Sequence, residues 1–218
     1  RNHNNANNIL CNIHTWIVDK KYRINSFLLL TPLLEKNITM TAFTPVKTLV
    51  GLLEKLGFEK IKMKYRIVYL FKLFNFTKKN LYKIENDNLI VQNTLNQNDV
   101  KIYNNYVNLA CEQFLIIKEN ETSKYIFVIA TKIIKKGFQT LNLIHVSNNS
   151  ELKKNWNTIK SEISKKFAVS FCSEYFFEEV NCSIPSNILL SKNLEKEVCI
   201  KKSLANIKLD ILYSDLIE

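Results

Sequence analysis

The chain has 218 residues, 46% hydrophobic and 23% charged, with only 3 Gly and 3 Pro. That composition belongs to a folded chain of one large domain or two small ones, and it excludes a disordered or collagen-like chain. The formal charge of +11 is concentrated: residues 1–80 hold 14 Lys+Arg against 4 Asp+Glu, whereas residues 81–218 hold 17 against 16. A positive field in the first third attracts phosphate, whether on a nucleotide cofactor or on nucleic acid. Asn, Lys and Ile are abundant throughout, so a biased composition with a solvated lysine surface accounts for part of this charge.

No apolar run approaches the roughly 20 residues that a membrane-spanning helix needs, and no membrane partner is expected. The opening RNHNNANN lacks the apolar centre of a signal peptide. Arg1 stands where Met would open a complete chain, which suggests a piece whose upstream elements are missing. Cys11, Cys111, Cys172, Cys182 and Cys199 are odd in number and scattered, without a C-x-x-C pair. Free thiols in a reducing cytoplasm are expected rather than a disulfide frame.

In chain order, ILCNIHTWIVD (9–19) reads as a strand. A helix is predicted from Arg23 to about Lys36, restarted at Pro32 with Thr31 as a new cap. NITMTAF (37–43) is a second strand. Thr44-Pro45 then opens a helix whose apolar positions are Val46, Leu49, Val50, Leu53 and Leu56, with Gly57 just past its end. FEKIKMKYRIVYLFKLF completes a β-α-β-α-β order. The polar stretch 75–88 is the linker candidate. Beyond it come a helix at NDVKIYNNYVNLAC, a hairpin around KENETSK, and a strand at FQTLNLIHVS. A helix follows with Leu152, Trp156, Ile159, Ile163 and Phe167 on one face, capped by Ser150 or Asn149, and then a strand at AVSFCSEYFF. Both parts contain a strand, a polar turn, an amphipathic helix and a strand.

The turn VDKKYRINSFLLL joins an apolar strand to an apolar helix through basic residues. A helix start offers unpaired N–H groups, and phosphate binds there. Arg23 is placed to pair with a phosphate that the amides of Ile24, Asn25, Ser26, Phe27 and Leu28 also address. His14 shares a strand face with Trp16 and Val18, and it is the candidate general base for an amine. A structural or merely exposed histidine is the commoner explanation for such a residue. Asp19 could bind an amine or simply form the turn. Thr39, Thr41 and Thr44 would share one side of the next strand, as an acceptor pocket or by strand propensity alone. No metal site is expected, because His3, His14 and His145 are far apart in the chain and no His or Cys pair has zinc spacing. Walker, G-x-S-x-G and G-x-G-x-x-G motifs are absent.

The strand, the run V-x-x-x-Y-R-x-x-S-x-L, the next strand and LLEKLGFEK together resemble the second half of a GCN5-related N-acetyltransferase (GNAT) domain, over roughly residues 9–70. The run is also similar to a bacterial group with WYVDPxYRGYSLLLL, whose members resemble two GNAT-like halves in tandem. The resemblance implies an α/β (α+β) fold of mixed, mostly antiparallel sheets flanked by helices. Residues 1–74 would be the C-terminal half of a GNAT-like domain and 89–218 a second, degenerate one. It implies acetyl-CoA or another acyl-CoA as donor and an unknown amine as acceptor. The pantetheine arm would lie along Trp16, Ile17 and Val18, and Arg23 would take the first position of the family's Q/R-x-x-G-x-G/A signature. Ser26 and Leu28 stand in place of its Gly and Gly/Ala, so the side chain of Leu28 would have to point into the core. Leu53 stands where many members carry the tyrosine that protonates the leaving thiolate, so catalysis would be impaired or would use other groups. A homo-oligomer is compatible with this reading. The other reading is a nucleic-acid or protein-interaction module. In it Tyr65, Tyr69, Phe71, Phe74 and Phe76 would stack bases between Lys62, Lys64, Arg66 and Lys72, although strand alternation explains most of that pattern as a buried face.

Overall fold

The computed structural model describes residues 10–13, 19–34, 38–43, 45, 47–70, 81–119, 121–135, 137–177, 181–185 and 191–202. The chain divides into two compact units. One comprises residues 1–63 with 196–216 and 218, the other residues 64–195 with 217. Strand β3 (Glu59–Tyr69) begins in the first and ends in the second, and β9 (Ser191–Lys201) does the reverse.

In the first unit, β1 (Leu10–Asn12) pairs in parallel with β2 (Thr39–Ala42). The end of β9 pairs antiparallel on the other side of β2, with Met40 opposite Lys201 and Ala42 opposite Cys199. Between the parallel strands a 3-10 helix (Lys20–Leu30) runs directly into α1 (Thr31–Leu34). The predicted α-helix from Arg23 therefore starts earlier and in a tighter form. Asp19 sets the start, because its Oδ1 accepts the Lys21 N–H at 3.1 Å. Thr31 has αR dihedrals and continues the helix rather than capping a new one. Pro32 falls in the first turn of α1, where its missing N–H costs little. Of the strand expected over 9–19, Leu10–Asn12 is strand, while 14–18 lie outside the described residues.

Helix α2 (Lys47–Lys55) ends as its sequence predicts. Gly57 adopts φ +85°, its N–H donates to Glu54 O at 3.0 Å, and the Phe58 N–H donates to Leu53 O at 3.0 Å. These are the two bonds of a Schellman motif, and Phe58 and Leu53 share the unit's core with Met40, Ala42 and Cys199.

In the second unit the strand order is β3-β8-β7-β6-β5-β4. The strands are β4 (Tyr82–Glu85), β5 (Glu112–Lys118), β6 (Glu121–Lys135), β7 (Phe138–Val146) and β8 (Phe171–Phe176). Every neighbouring pair is antiparallel except β7–β8. The helices are α3 (Asn88–Thr94), α4 (Gln97–Tyr106) and α5 (Asn149–Phe167). The fold class is the expected mixed α/β arrangement.

Helix α5 buries the five residues that its spacing predicts, against Phe114, Val128, Leu141, Leu143 and Cys172 on one sheet face. Its cap is Asn148, one residue before the earlier of the two expected, and Asn148 Oδ1 accepts the Glu151 N–H at 3.0 Å. Helix α4 lies on the other face, where Tyr103 meets Phe127 with ring centroids 6.4 Å apart. In β7 the register slips between Leu143, opposite Ala130, and His145, opposite Ile129. One extra residue reverses the alternation, so Val146 packs against the α5 core while His145 meets Phe127.

Further elements differ from the sequence expectation. Tyr82–Glu85, inside the stretch read as a linker, forms β4, with Tyr82 and Ile84 buried and Lys83 exposed. Helix α3 and strand β9 were not expected at all. The hairpin turn is tighter than KENETSK, because β5 reaches Lys118 and β6 starts at Glu121.

Two helix ends make a paired test. Ala168 closes α5 at φ +55°, a left-handed conformation that costs a non-glycine residue about 1 kcal/mol. Urea unfolding is expected to show Ala168→Gly stabilised and Gly57→Ala destabilised, each by about 1 kcal/mol. Equal signs for the two would contradict these end geometries.

Candidate functional site

The basic turn of the first unit is built on the 3-10 helix. Lys20, Lys21, Tyr22 and Asn25 are exposed, and Ser26 is half-buried. Lys21 Nζ lies 4.9 Å from the centre of the Tyr22 ring. Asp19 takes the place an external anion would occupy at the helix start, and the Tyr22 N–H is already bonded to Asp19 O at 2.9 Å. The amides of Ile24 to Leu28, expected to be unpaired, lie inside a helix that begins at Lys20, where each N–H faces the carbonyl three residues back. An anion held here would therefore meet side chains more than amides. Leu28 corrects a second expectation: it is 53% exposed, and Leu30 points inward instead. His14, Trp16, Ile17, Val18 and Thr44 lie outside the described residues. Arg23, Ile24 and Phe27 belong to the 3-10 helix.

Thr39 and Thr41 are buried, and Thr41 Oγ1 donates to Asn12 Oδ1 at 3.2 Å, so they do not line an open acceptor pocket. Leu53 is buried in the first unit's core. Tyr65 is buried too, its ring 4.3 Å from that of Tyr175 and capped by Lys135 Nζ at 3.6 Å, so it presents no face to a nucleic-acid base. Phe71, Lys72, Phe74 and Phe76 lie outside the described residues. Among the described residues no helix is long and apolar enough to cross a membrane. No group of three His, Cys, Asp or Glu among them is placed to hold a metal ion.

The second unit holds an open cleft of about 870 Å³ that sequence reasoning missed. It lies where the N-termini of α4 and α5 come to the ends of β5, β6 and β7. Asn96 caps α4, and its Oδ1 accepts the N–H groups of Asn98 and Asp99 at 2.9 and 3.0 Å. The Asp99 carboxylate accepts from Tyr125 OH at 2.9 Å and from Asn96 Nδ2 at 2.8 Å. On the other wall, Glu151 accepts from Asn155 Nδ2 at 2.7 Å and, more weakly, from Tyr82 OH at 3.4 Å. Burial raises the Tyr125 phenol above its ordinary value, and the neighbouring Asp99 adds to the shift. The readable signal was two N-cap asparagines each followed by an acid three residues on, Asn96-x-x-Asp99 and Asn148-x-x-Glu151.

A buried polar cluster is linked to the start of α5 through Ser183 and Asn149. Glu174 accepts from Ser183 N at 2.7 Å, Ser183 Oγ at 2.9 Å and Ile184 N at 3.0 Å. Arg66, opposite it in the β3–β8 register, donates to Ile184 O at 2.6 Å and stacks on Phe176 at 4.9 Å. Burial dominates the Glu174 carboxyl and pushes it up to about 7, although the donors around it favour the charged form.

Among solved structures, the chain is similar to a GCN5-related N-acetyltransferase from Anabaena variabilis, with a TM-score of 0.53 at 10% identity over 84% of this chain and 52% of that one. It is also similar to a conserved protein of unknown function from Enterococcus faecalis, described as a probable N-acyltransferase, with a TM-score of 0.50 at 12% identity over 85% of this chain and 52% of that one. The chain has a GNAT-like fold. It spans about half the length of these two structures, and at such identities the likeness is one of fold. No protein-family model matches the chain, and no curated protein sequence does.

Because the folded Glu174 binds its proton more tightly than an unfolded carboxyl does, its contribution to stability is complete below about pH 4.5. That contribution is lost as pH rises through about 7, for a total of about 3 kcal/mol. Urea unfolding across that range is expected to show this decline in the native chain and a flatter profile in Glu174→Gln. Parallel profiles would mean Glu174 is not the titrating group.

Proposed function

We propose that this GNAT-like chain is an acyl-CoA-dependent N-acyltransferase or a degenerate relative that binds CoA without turnover. The observation that carries this reading is the parallel β1–β2 pair of a GNAT-like fold, joined through a basic, Asp19-capped turn. In this reading the donor, acetyl-CoA or another acyl-CoA, lays its pantetheine arm along Trp16, Ile17 and Val18. Its pyrophosphate meets Arg23, Asn25 and Ser26, with Lys20 and Lys21 supplying field. Ile24, Phe27 and Leu28 complete the stretch as backbone and wall. The acceptor is an amine, and His14 is the candidate base that deprotonates it. With Leu53 apolar and buried, the departing thiolate takes its proton from water or from another residue, which favours slow turnover.

Residues 1–74 are read as the closing half of one GNAT-like domain and 89–218 as a second, degenerate one. A parallel strand pair bridged by helical structure occurs within each of these ranges, which supports the reading, although the compact units divide at 63/64 and 195/196. A cytoplasmic setting suits five unpaired cysteines.

Thermal unfolding with CoA and with acetyl-CoA tests the reading. A ligand at about 100 times its dissociation constant adds about 2.7 kcal/mol, a clear upward shift. Arg23→Ala is expected to abolish that shift while leaving the ligand-free transition in place. No shift at millimolar CoA in well-folded protein, or an undiminished shift in Arg23→Ala, would refute the assignment.

A further inference from the structure

We propose that Glu174, Ser183 and Asn149 form a proton-operated latch on the start of α5, closed while Glu174 carries a proton and open once that proton leaves. Ser183 Oγ lies 2.9 Å from Glu174 Oε1 and 2.7 Å from Asn149 Oδ1. A hydroxyl has one hydrogen, so Ser183 donates to one of these oxygens and cannot fully serve both. The Asn149 amide is fixed in orientation, because its Nδ2 donates to Asn181 O at 2.9 Å and the reversed amide would set Oδ1 against that carbonyl. The second hydrogen must therefore come from Glu174. With a proton on Oε1, Glu174 donates to Ser183 Oγ and Ser183 donates to Asn149 Oδ1, so both contacts are satisfied. The other oxygen, Oε2, accepts the N–H groups of Ser183 at 2.7 Å and Ile184 at 3.0 Å, with Cys182 Sγ beside it at 3.4 Å. One oxygen crowded by donors and one facing a single hydroxyl is the pattern of a neutral carboxylic acid.

Among the described residues, the titratable groups that face Glu174 are Arg66 from β3, Cys172 two residues earlier on β8 and Cys182 from the segment 181–185. Helix α5 contributes Asn149, which carries no charge. Arg66 keeps its proton throughout and donates to Ile184 O at 2.6 Å and to Cys182 Sγ at 3.2 Å. Burial holds both thiols neutral. Glu174 is thus the member of this group whose charge changes near neutrality, at about 7. When its proton leaves, Ser183 turns its hydrogen to the carboxylate. Asn149 Oδ1 then faces Ser183 Oγ across 2.7 Å with no hydrogen between them, and their lone pairs repel. The first turn of α5 loses its tie to residues 181–184. Glu151 and Lys154, which border the cleft from that end of the helix, are held in place below neutral pH and freed above it.

Amide hydrogen exchange of the full chain tests this between about pH 6 and about pH 8, expressed as protection so that the intrinsic pH dependence of exchange drops out. Residues 149–156 are expected to lose protection by about three- to tenfold as pH rises, the contribution of one hydrogen bond, over and above any change in the core strand β6. The amide of Glu174→Gln donates to Ser183 at every pH, so this variant is expected to keep the protection that the native chain shows at low pH. Ser183→Ala lacks the relay and is expected to be less protected at both ends of the range, without a step. The native chain also gives a direct reading that needs no variant. Its infrared spectrum is expected to show the carbonyl band of a protonated carboxyl near pH 6 and to lose it near pH 8. A step at 149–156 that persists in Ser183→Ala, a step no larger than that of β6, or no protonated carboxyl band near pH 6 would each overturn the proposal.

Discussion

Among the described strands, two parallel pairs set the layout. A tight turn can join antiparallel neighbours, but parallel neighbours need a connection that travels the length of the strand and returns. In the first unit that connection is the 3-10 helix with α1 between β1 and β2; in the second it is α5 between β7 and β8. Each crossover must leave the carboxyl end of one strand through a turn and start a helix there. In the second unit polar residues Ser147 and Asn148 and the start of α5 therefore meet at the carboxyl end of β7. The basic turn at 19–23 and the cleft beside Asn148 are products of the same geometric requirement.

The two crossovers solve it differently. Helix α5 has 19 residues and a continuous apolar stripe, so side-chain burial carries it. The 3-10 segment has no comparable stripe: Tyr22, Leu28 and Leu29 stay exposed, and only Leu30 is buried among the residues whose side chains are described there. The contrast shows where sequence reading succeeded. Leu152, Trp156, Ile159, Ile163 and Phe167 announce their helix by spacing alone, and Gly57 announces a helix end because few other residues accept its backbone. SFLLL is apolar without periodicity, and it misled about both helix type and burial. Strand β9 was hidden because Val198, Cys199 and Ile200 are consecutive buried residues behind a charged run, which leaves no alternation to read. The cleft was hidden by composition. Its capping asparagines look like any others in an Asn-rich chain, and only the fold brings Asn96 and Asn148 to the same cavity.

The polar cluster around Glu174 carries a different kind of information. A buried arginine and a buried carboxyl are costly to desolvate, and each here is supplied with short hydrogen bonds. What these bonds secure is position. Ser183 Oγ continues from Glu174 to Asn149 Oδ1 at 2.7 Å, and Asn149 Nδ2 donates to Asn181 O at 2.9 Å. Residues 181–184 are thereby tied to the first residue of α5, immediately beside the cap that borders the cleft. A rigid start to α5 keeps Glu151 and Lys154 in fixed places.

The strand at one end of the second unit's sheet has a further consequence. Among the described strands β4 is outermost, and it is four residues long. Lys83 Nζ holds Glu85 at 2.8 Å along it, and Glu85 also receives the N–H groups of Asn86 and Asp87. Long, flat, apolar borders invite the backbone of a neighbouring molecule to pair with them. This border is short, charged and closed off by its own carboxylate. One copy of the sheet is therefore a poor template for the next, and chain-to-chain growth of β-structure is discouraged where the sheet would otherwise be most open to it.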